Sequence, residues 1–192
     1  MNLRCIHADD IPAQAWRNGG GQTRELLAWP VSEPWQVRIS RADIDRDGPF
    51  SSFPQVERWF AVLRGNGVEL DFNGAARTVA LGDDAVRFDG AAAPGCRLTG
   101  GPTQDLNLML RGGSGFLRRW ERGSACLDAS AMRGLYTTME GRWTCGIHSQ
   151  DIAADTLLWS EHGAAGPWTF EPSQATTSAT DSAWWLGFTP GD

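Results

Sequence analysis

The sequence predicts an all-β protein on three observations: its apolar runs are short, 23 Gly and 10 Pro interrupt them along 192 residues, and several runs alternate apolar with polar residues. Long helices have no room between such turn signals. Ten Trp spread along the chain supply bulky core for many brief strands.

The clearest strands lie between Glu57 and Phe88, where WFAVL, VELDF, RTVAL and AVRF are separated by Asn66-Gly67, Asn73-Gly74 and Gly82-Asp83-Asp84. Asn-Gly pairs tolerate positive φ at both residues, so these junctions predict hairpins. In Val68-Glu69-Leu70-Asp71-Phe72 apolar and acidic residues alternate, which gives one inward and one outward face. Trp35-Gln36-Val37-Arg38-Ile39-Ser40 alternates as well. In Gln104-Asp105-Leu106-Asn107-Leu108-Met109-Leu110, Leu106, Leu108 and Leu110 share one face and Asp105 and Asn107 the other. A polar row on such a strand predicts a barrel whose interior is partly polar, as a ligand cavity is.

After Arg111-Gly112-Gly113-Ser114-Gly115 the pattern resets. Residues 1–112 form the expected first barrel and 113–192 a second, shorter one. Its strands are expected around Arg142–His148, Thr156–Trp159, Trp168–Glu171 and Ala183–Phe188, with a Ser/Thr/Ala-rich loop over Gln174–Ser182. The first unit reads as functional and the second as architectural. The closing Ala183-Trp184-Trp185-Leu186-Gly187-Phe188 is expected to pack back on the first unit or to form a dimer contact.

Composition removes several classes of function. A net charge of −6 argues against a general nucleic-acid or anionic-membrane surface, although a local Arg cluster can still meet one anionic ligand. All 17 basic residues are Arg, so Schiff-base and phosphate-loop Lys chemistry is excluded. No run has the apolar length of a signal peptide or a membrane span. Cys5, Cys96, Cys126 and Cys145 are scattered, so free thiols and a cytoplasmic setting are expected.

The densest chemistry is Trp16-Arg17-Asn18-Gly19-Gly20-Gly21-Gln22-Thr23-Arg24-Glu25. Three Gly free the backbone and expose N–H groups, Arg offers a fork to a carboxylate, and Asn, Thr and Glu add donors and acceptors. The segment can cradle an anion, or it can be a turn feeding a strand from Thr23. A second cluster runs from Asp47-Gly48-Pro49-Phe50 through Phe53 to Glu57-Arg58-Trp59. Glu57 and Arg58 are adjacent on a strand and point to opposite faces, so only one can enter a given cavity. Phe50 and Phe53 read as packing residues. His7, His148 and His162 lie outside both clusters, and neither Cys5-x-His7 nor Cys145-x-x-His148 has a second matching pair, so no metal site is expected. No Gly-x-Ser-x-Gly elbow or Cys/His pairing suggests a nucleophile.

Three blocks in order, Trp16–Glu25 with Ser40, Gly48-Pro49-Phe50-Ser51-Ser52-Phe53-Pro54 with Glu57-Arg58, and Asp105-Leu106-Asn107-Leu108-Met109, resemble the HutD/Ves family of bicupins. The resemblance covers the first ~110 residues by motif, and the rest mainly by length and strand character. It implies two double-stranded β-helix (cupin) barrels in one chain, often as a homodimer. Counting back from Gly65, the general cupin metal pattern puts its glutamate on Arg58 and two histidines on Ser52 and Pro54. A further histidine falls on Thr103, and Asn107 keeps the family's asparagine. The resemblance thus implies an Arg where other cupins hold a metal. It also implies a small acidic ligand such as formylglutamate or formate, in a regulatory role in histidine utilization, with no cofactor.

Three readings follow. In the first, a non-enzymatic binder holds a carboxylated metabolite with Arg17, Asn18 and Arg58, oriented by Trp16, Thr23, Glu25, Ser40, Glu57, Asp105 and Asn107. In the second, a metal-free enzyme uses Glu25 or Glu57 as general base for isomerisation or hydrolysis of a small acid. A carboxylate beside an Arg has a depressed pKa, which weakens it as a base. The third is a structural or interaction module, in which Asp105 and Asn107 would be exposed to solvent.

Overall fold

The computed structural model describes residues 3–162, 166–175, 178 and 180–191, which form two compact all-β units. The strands are β1 (Leu3–His7), β2 (Gln14–Ala15), β3 (Gly21–Trp29), β4 (Val37–Ile44), β5 (Gly48–Pro49), β6 (Glu57–Arg64), β7 (Val68–Phe72), β8 (Ala75–Val79), β9 (Val86–Asp89), β10 (Gly95–Leu98) and β11 (Thr103–Leu110), then β12 (Gly113–Arg119), β13 (Ala125–Cys126), β14 (Met132–Thr137), β15 (Gly141–Cys145), β16 (His148–Ile152), β17 (Thr156–Ser160), β18 (Trp168–Pro172) and β19 (Ala183–Pro190). Two single-turn 3-10 helices complete the regular structure. No helix among the described residues is long and apolar enough to cross a membrane.

The first unit, Ile11–Gly112, has a six-stranded sheet ordered β2-β3-β4-β11-β6-β9 and a four-stranded sheet ordered β5-β10-β7-β8. Their inner faces share one core: Ile44, Phe60, Val62 and Val86 come from the large sheet, and Val68, Leu70, Val79 and Cys96 from the small one. Both parities of β4, β6 and β11 are buried, so the central strands are covered on both faces.

Asn73-Gly74 makes the expected hairpin between β7 and β8, with φ of 56° and 94° at the two residues. Asn66-Gly67 does not make one. β6 pairs with β11 and β9 while β7 pairs with β10 and β8, so this junction carries the chain from one sheet to the other. Gly67 is needed there because a Cβ would sit 2.2 Å from the Val79 carbonyl oxygen. Likewise β8 and β9 lie in different sheets, and Gly82-Asp83-Asp84 joins them.

The second unit joins Met1–Asp10 to Gly113–Asp192. The boundary at 112/113 falls where the sequence resets, but the opening segment belongs with the second unit: β1 pairs antiparallel with β17 along its whole length, Leu3 opposite Ser160 and His7 opposite Thr156. The closing strand β19 is internal to this unit's own five-stranded sheet, β1-β17-β14-β19-β12, and is not an appendage. The second sheet is β13-β18-β15-β16. Between them Trp120, Trp143, Trp168, Trp185 and Phe170 fill the interior, with the Trp143 and Trp168 rings edge-to-face at 4.9 Å. Of the Ser/Thr/Ala-rich loop expected over Gln174–Ser182, Thr176, Thr177 and Ala179 lie outside the described residues. All four cysteines are free thiols, three of them buried.

Candidate functional site

The Gly-rich segment is a tight turn that launches β3. The Trp16 N–H donates to the Gly21 carbonyl (2.9 Å), Gly19 N–H to the Trp16 carbonyl (3.0 Å) and Gly20 N–H to Asn18 Oδ1 (3.0 Å). Gly19 adopts a φ of +67°, and the Gly20 carbonyl accepts from Asp45 N–H at 2.9 Å. Of the two readings of this segment, the turn is the one formed, and the Gly19 and Gly20 N–H groups are spent inside it. Gly21 is fixed by close packing. A Cβ there would lie 2.1 Å from the Asp43 carbonyl oxygen on the neighbouring strand. Gly21→Ala must push β3 from β4 and is expected to cost about 1–3 kcal/mol, read as a lower denaturation midpoint.

The turn rims a cavity of about 410 Å³ in the first unit, a size suited to a small metabolite. Eight of the ten site residues named from the sequence line it: Trp16, Arg17, Asn18, Thr23, Ser40, Arg58, Asp105 and Asn107. Trp16 is oriented by its indole N–H, which donates to Thr23 Oγ1 at 2.7 Å. Strand parity accounts for the wall: Ser40 and Ala42 on β4, Arg58 on β6, and Asp105, Asn107 and Met109 on β11 all face inward.

Arg58 is the anchor of the floor. It is 7 % exposed, and its Nη2 donates to Asn107 Oδ1 at 3.1 Å. Its guanidinium lies among three rings, 4.9 Å from the Phe50 centroid, 5.7 Å from Phe53 and 5.1 Å from Phe88. Phe50 and Phe53 thus pack, as expected, but they also line the cavity. Burial, opposed by the charge of Asp105 and reinforced by that of Arg38, pulls the Arg58 pKa down to about 10. It remains a cation at neutral pH with an incompletely satisfied demand for a counter-charge.

The Asn107 amide donates a short hydrogen bond to Asp105 Oδ1, so Asn107 bridges Arg58 and Asp105. Asp105 is 1 % exposed, and its Oδ2 has no partner. Burial pushes its carboxyl well above the ordinary carboxylate range; Arg58 and the Asn107 hydrogen bond oppose this rise and Asp43 adds to it. With Asp105 and Asn107 at 1 % and 7 % exposure, the solvent-facing arrangement that would mark a purely structural module is absent.

Two named residues lie outside the lining. Glu57 faces away on β6, pairing with Arg87 and accepting from Trp59 Nε1 at 2.8 Å, which is the consequence of its opposite parity to Arg58. Glu25 stands opposite Ser40 in the β3–β4 ladder, outside the lining, and accepts from Arg38 Nε at 2.6 Å. Arg38 itself lines the cavity and escaped the sequence reading. The signal was there: Arg38 shares the parity of Ser40 in the alternating segment. Glu57→Gln is expected to change the affinity for any ligand of this cavity by less than about twofold in calorimetry, since exposed ion pairs contribute about 0–1 kcal/mol.

Cupin folds commonly hold a metal, and the residues present do not fit one. Arg58 occupies the glutamate position, Thr103 donates to the Gly67 carbonyl at 3.2 Å, and neither Ser52 nor Pro54 lines the cavity. Three guanidiniums and one buried carboxyl make poor company for a divalent cation. Among the described residues no group of three or more His, Cys, Asp or Glu is placed to hold a metal ion.

The fold matches cupin structures at low identity. An E. coli bacterial pirin (YhhW), solved in complex with nickel(II), superposes with a TM-score of 0.61 at 12 % identity over 100 % of both chains. Bacillus subtilis oxalate decarboxylase gives 0.60 at 11 %, covering 100 % of this chain and 78 % of the other. HutD from Pseudomonas fluorescens SBW25, in a formate condition, gives 0.81 at 22 % over 98 % of each chain. In sequence, a 21.2 kDa protein in the hutC 3′ region of Pseudomonas putida is 32 % identical over 151 residues, 73 % of this chain and 80 % of that one. Protein Ves of Cronobacter sakazakii is 30 % identical over 155 residues, 80 % of this chain and 81 % of its own. The HutD family model matches residues 8–180, which spans both units and all eight cavity residues foreseen from the motifs, and the chain therefore belongs to the HutD family.

Proposed function

We propose that the first unit binds a small carboxylate metabolite without a metal, and that the ligand is formylglutamate or a related acid of histidine utilization, bound in a regulatory role. The observation that carries the reading is Arg58: a buried guanidinium held by Asn107 and facing a cavity, with Arg38 beside it and no carboxylate in direct contact. A ligand carboxylate would supply the missing counter-charge through a forked pair of hydrogen bonds. Arg17 at the exposed rim adds a third positive group, and Trp16, Phe50, Phe53 and Met109 provide apolar wall for a short carbon chain. The pathway assignment is supported by the P. putida relative's place in the hutC 3′ region.

Against the reading as an enzyme stand the positions of its proposed bases: Glu57 faces away, and Glu25 is paired with Arg38. Calorimetry with formylglutamate, formate, urocanate, glutamate and histidine tests the proposal. Saturable binding of an acid, competed by its close analogues, is expected; no heat with any of the five would overturn it.

A further inference from the structure

The buried carboxyl on β11 has no role yet in the anion site, and its surroundings assign it one. A carboxylate so deeply enclosed would need cations or several donors around it. Asp105 has one donor, the Asn107 amide on Oδ1, and nothing on Oδ2. Arg58 acts on Asp105 through its charge but donates no hydrogen bond to it: Nη2 goes to Asn107 Oδ1 and Nη1 lies 3.5 Å from the Ser51 carbonyl. The groups facing it from the other elements do not favour a negative charge. Asp43 on β4 repels one, and the buried thiol of Cys96 on β10 is itself pushed up to about 12 by burial and by Asp105 and Asp47. Across the strand pairs, Asp105 stands opposite Ala42 on β4 and Val62 on β6, which bring no charge. Arg38 on β4 is paired with Glu25, and its charge acts on Arg58.

We infer that Asp105 is a neutral carboxylic acid whose hydroxyl donates a hydrogen bond to the oxyanion bound beside Arg58, making it a proton-carrying specificity residue of the site. The inference rests on the anion-site reading above and deepens it. The oxygen without a partner is a donor in search of an acceptor, and in a cavity lined by guanidiniums the acceptor is the ligand. The arrangement selects for anions twice: the Arg supplies charge, and the acid supplies an O–H that only an acceptor can satisfy. It also links binding to protons. Below the pKa of Asp105 the donor is in place and affinity is independent of pH. Above it the site must take up a proton to bind, and affinity falls about tenfold per pH unit.

The test separates this role from that of a charged carboxylate. Asp105→Asn keeps shape and a neutral donor. The variant is expected to bind formate and glutarate within about threefold of the parent at neutral pH, and to lose any decline in affinity that the parent shows below about pH 10, where Arg58 itself begins to lose its proton, while Asp105→Leu binds at least tenfold more weakly than the parent. Infrared spectra of the ligand-free protein at neutral pH should show a carboxylic-acid C=O band that Asp105→Asn lacks. Absence of that band overturns the inference whatever the ligand. Strong parental binding that collapses in Asp105→Asn also overturns it, since the negative charge would then be the working form, and leaves the anion site standing. If the parent binds neither acid, the anion-site reading fails and the donor role falls with it; the infrared band still decides the protonation state.

Discussion

Replacing Arg58 with Met is expected to weaken carboxylate binding by at least about a hundredfold while changing fold stability by less than about 1 kcal/mol. The binding loss follows from truncating the charged partner in a desolvated site, which costs about 2–5 kcal/mol. The small effect on stability comes from two opposing terms. Arg58 stacks on three rings, at about 0.5–2 kcal/mol for a cation–π contact, and it donates to Asn107. Against this, its burial costs charge solvation. A base whose pKa is lowered by folding destabilises the folded state at every pH below the folded value, and the cost lifts only as pH rises past it. With Arg58 lowered from 12.5 to about 10, that cost is fully present at neutral pH and is on the order of 3 kcal/mol. Met preserves much of the stacking volume and removes the penalty. Calorimetry and urea denaturation measure the two quantities. Affinity that survives Arg58→Met would remove Arg58 from the site, and a large stability loss would show that the ring contacts outweigh the buried charge. Arg58→Lys gives a further reading: it keeps the charge and loses the fork, so its affinity should lie between the two.

How much of this was legible beforehand depended on whether the information was local. Parity is local. It separated Glu57 from Arg58 before any coordinates, and the same rule applied to Ser40 would have delivered Arg38, since both stand on one face of β4. The polar row of Asp105 and Asn107 on an otherwise apolar strand marked the cavity wall for the same reason. Sheet membership is not local. Asn66-Gly67 carries hairpin chemistry, yet its strands enter different sheets, because turn residues specify backbone angles and not the partner strand. The pairing of β1 with β17 spans about the whole chain, and nothing within Leu3–His7 signals it. The Gly-rich turn lies between these cases. Its φ requirement was legible, but the use of the Gly19 and Gly20 N–H groups by Trp16 and Asn18 was not. Glu25, opposite Ser40 in the ladder, lies next to the lining and holds Arg38, a residue of the wall; that pairing is set by side-chain reach and was not legible from spacing.

Trp168→Ala should destabilise the protein by about 3–5 kcal/mol, whereas Trp168→Phe should cost less than about 1.5 kcal/mol. Trp168 is fully buried in the second unit, edge-to-face with Trp143 at 4.9 Å, and Arg133 stands over its ring at 5.3 Å. Removing the indole opens a void between two sheets whose strands are fixed by their ladders, so the walls cannot collapse to fill it. The Phe variant decides which part of the side chain matters. The Trp168 Nε1 proton is buried without a hydrogen-bond partner, a state that costs about 1–3 kcal/mol for a neutral donor. Phe removes that unpaired donor along with part of the ring, and the relief offsets the lost contacts. A Phe variant as damaging as Ala would mean that the indole N–H is satisfied in solution, by a ring face or by water, and that the core of the second unit is held by polar as well as apolar contacts. Urea denaturation of the two variants beside the parent distinguishes these outcomes, and carboxylate affinity measured well below the transition should be unchanged in both, because no residue of the second unit lines the cavity.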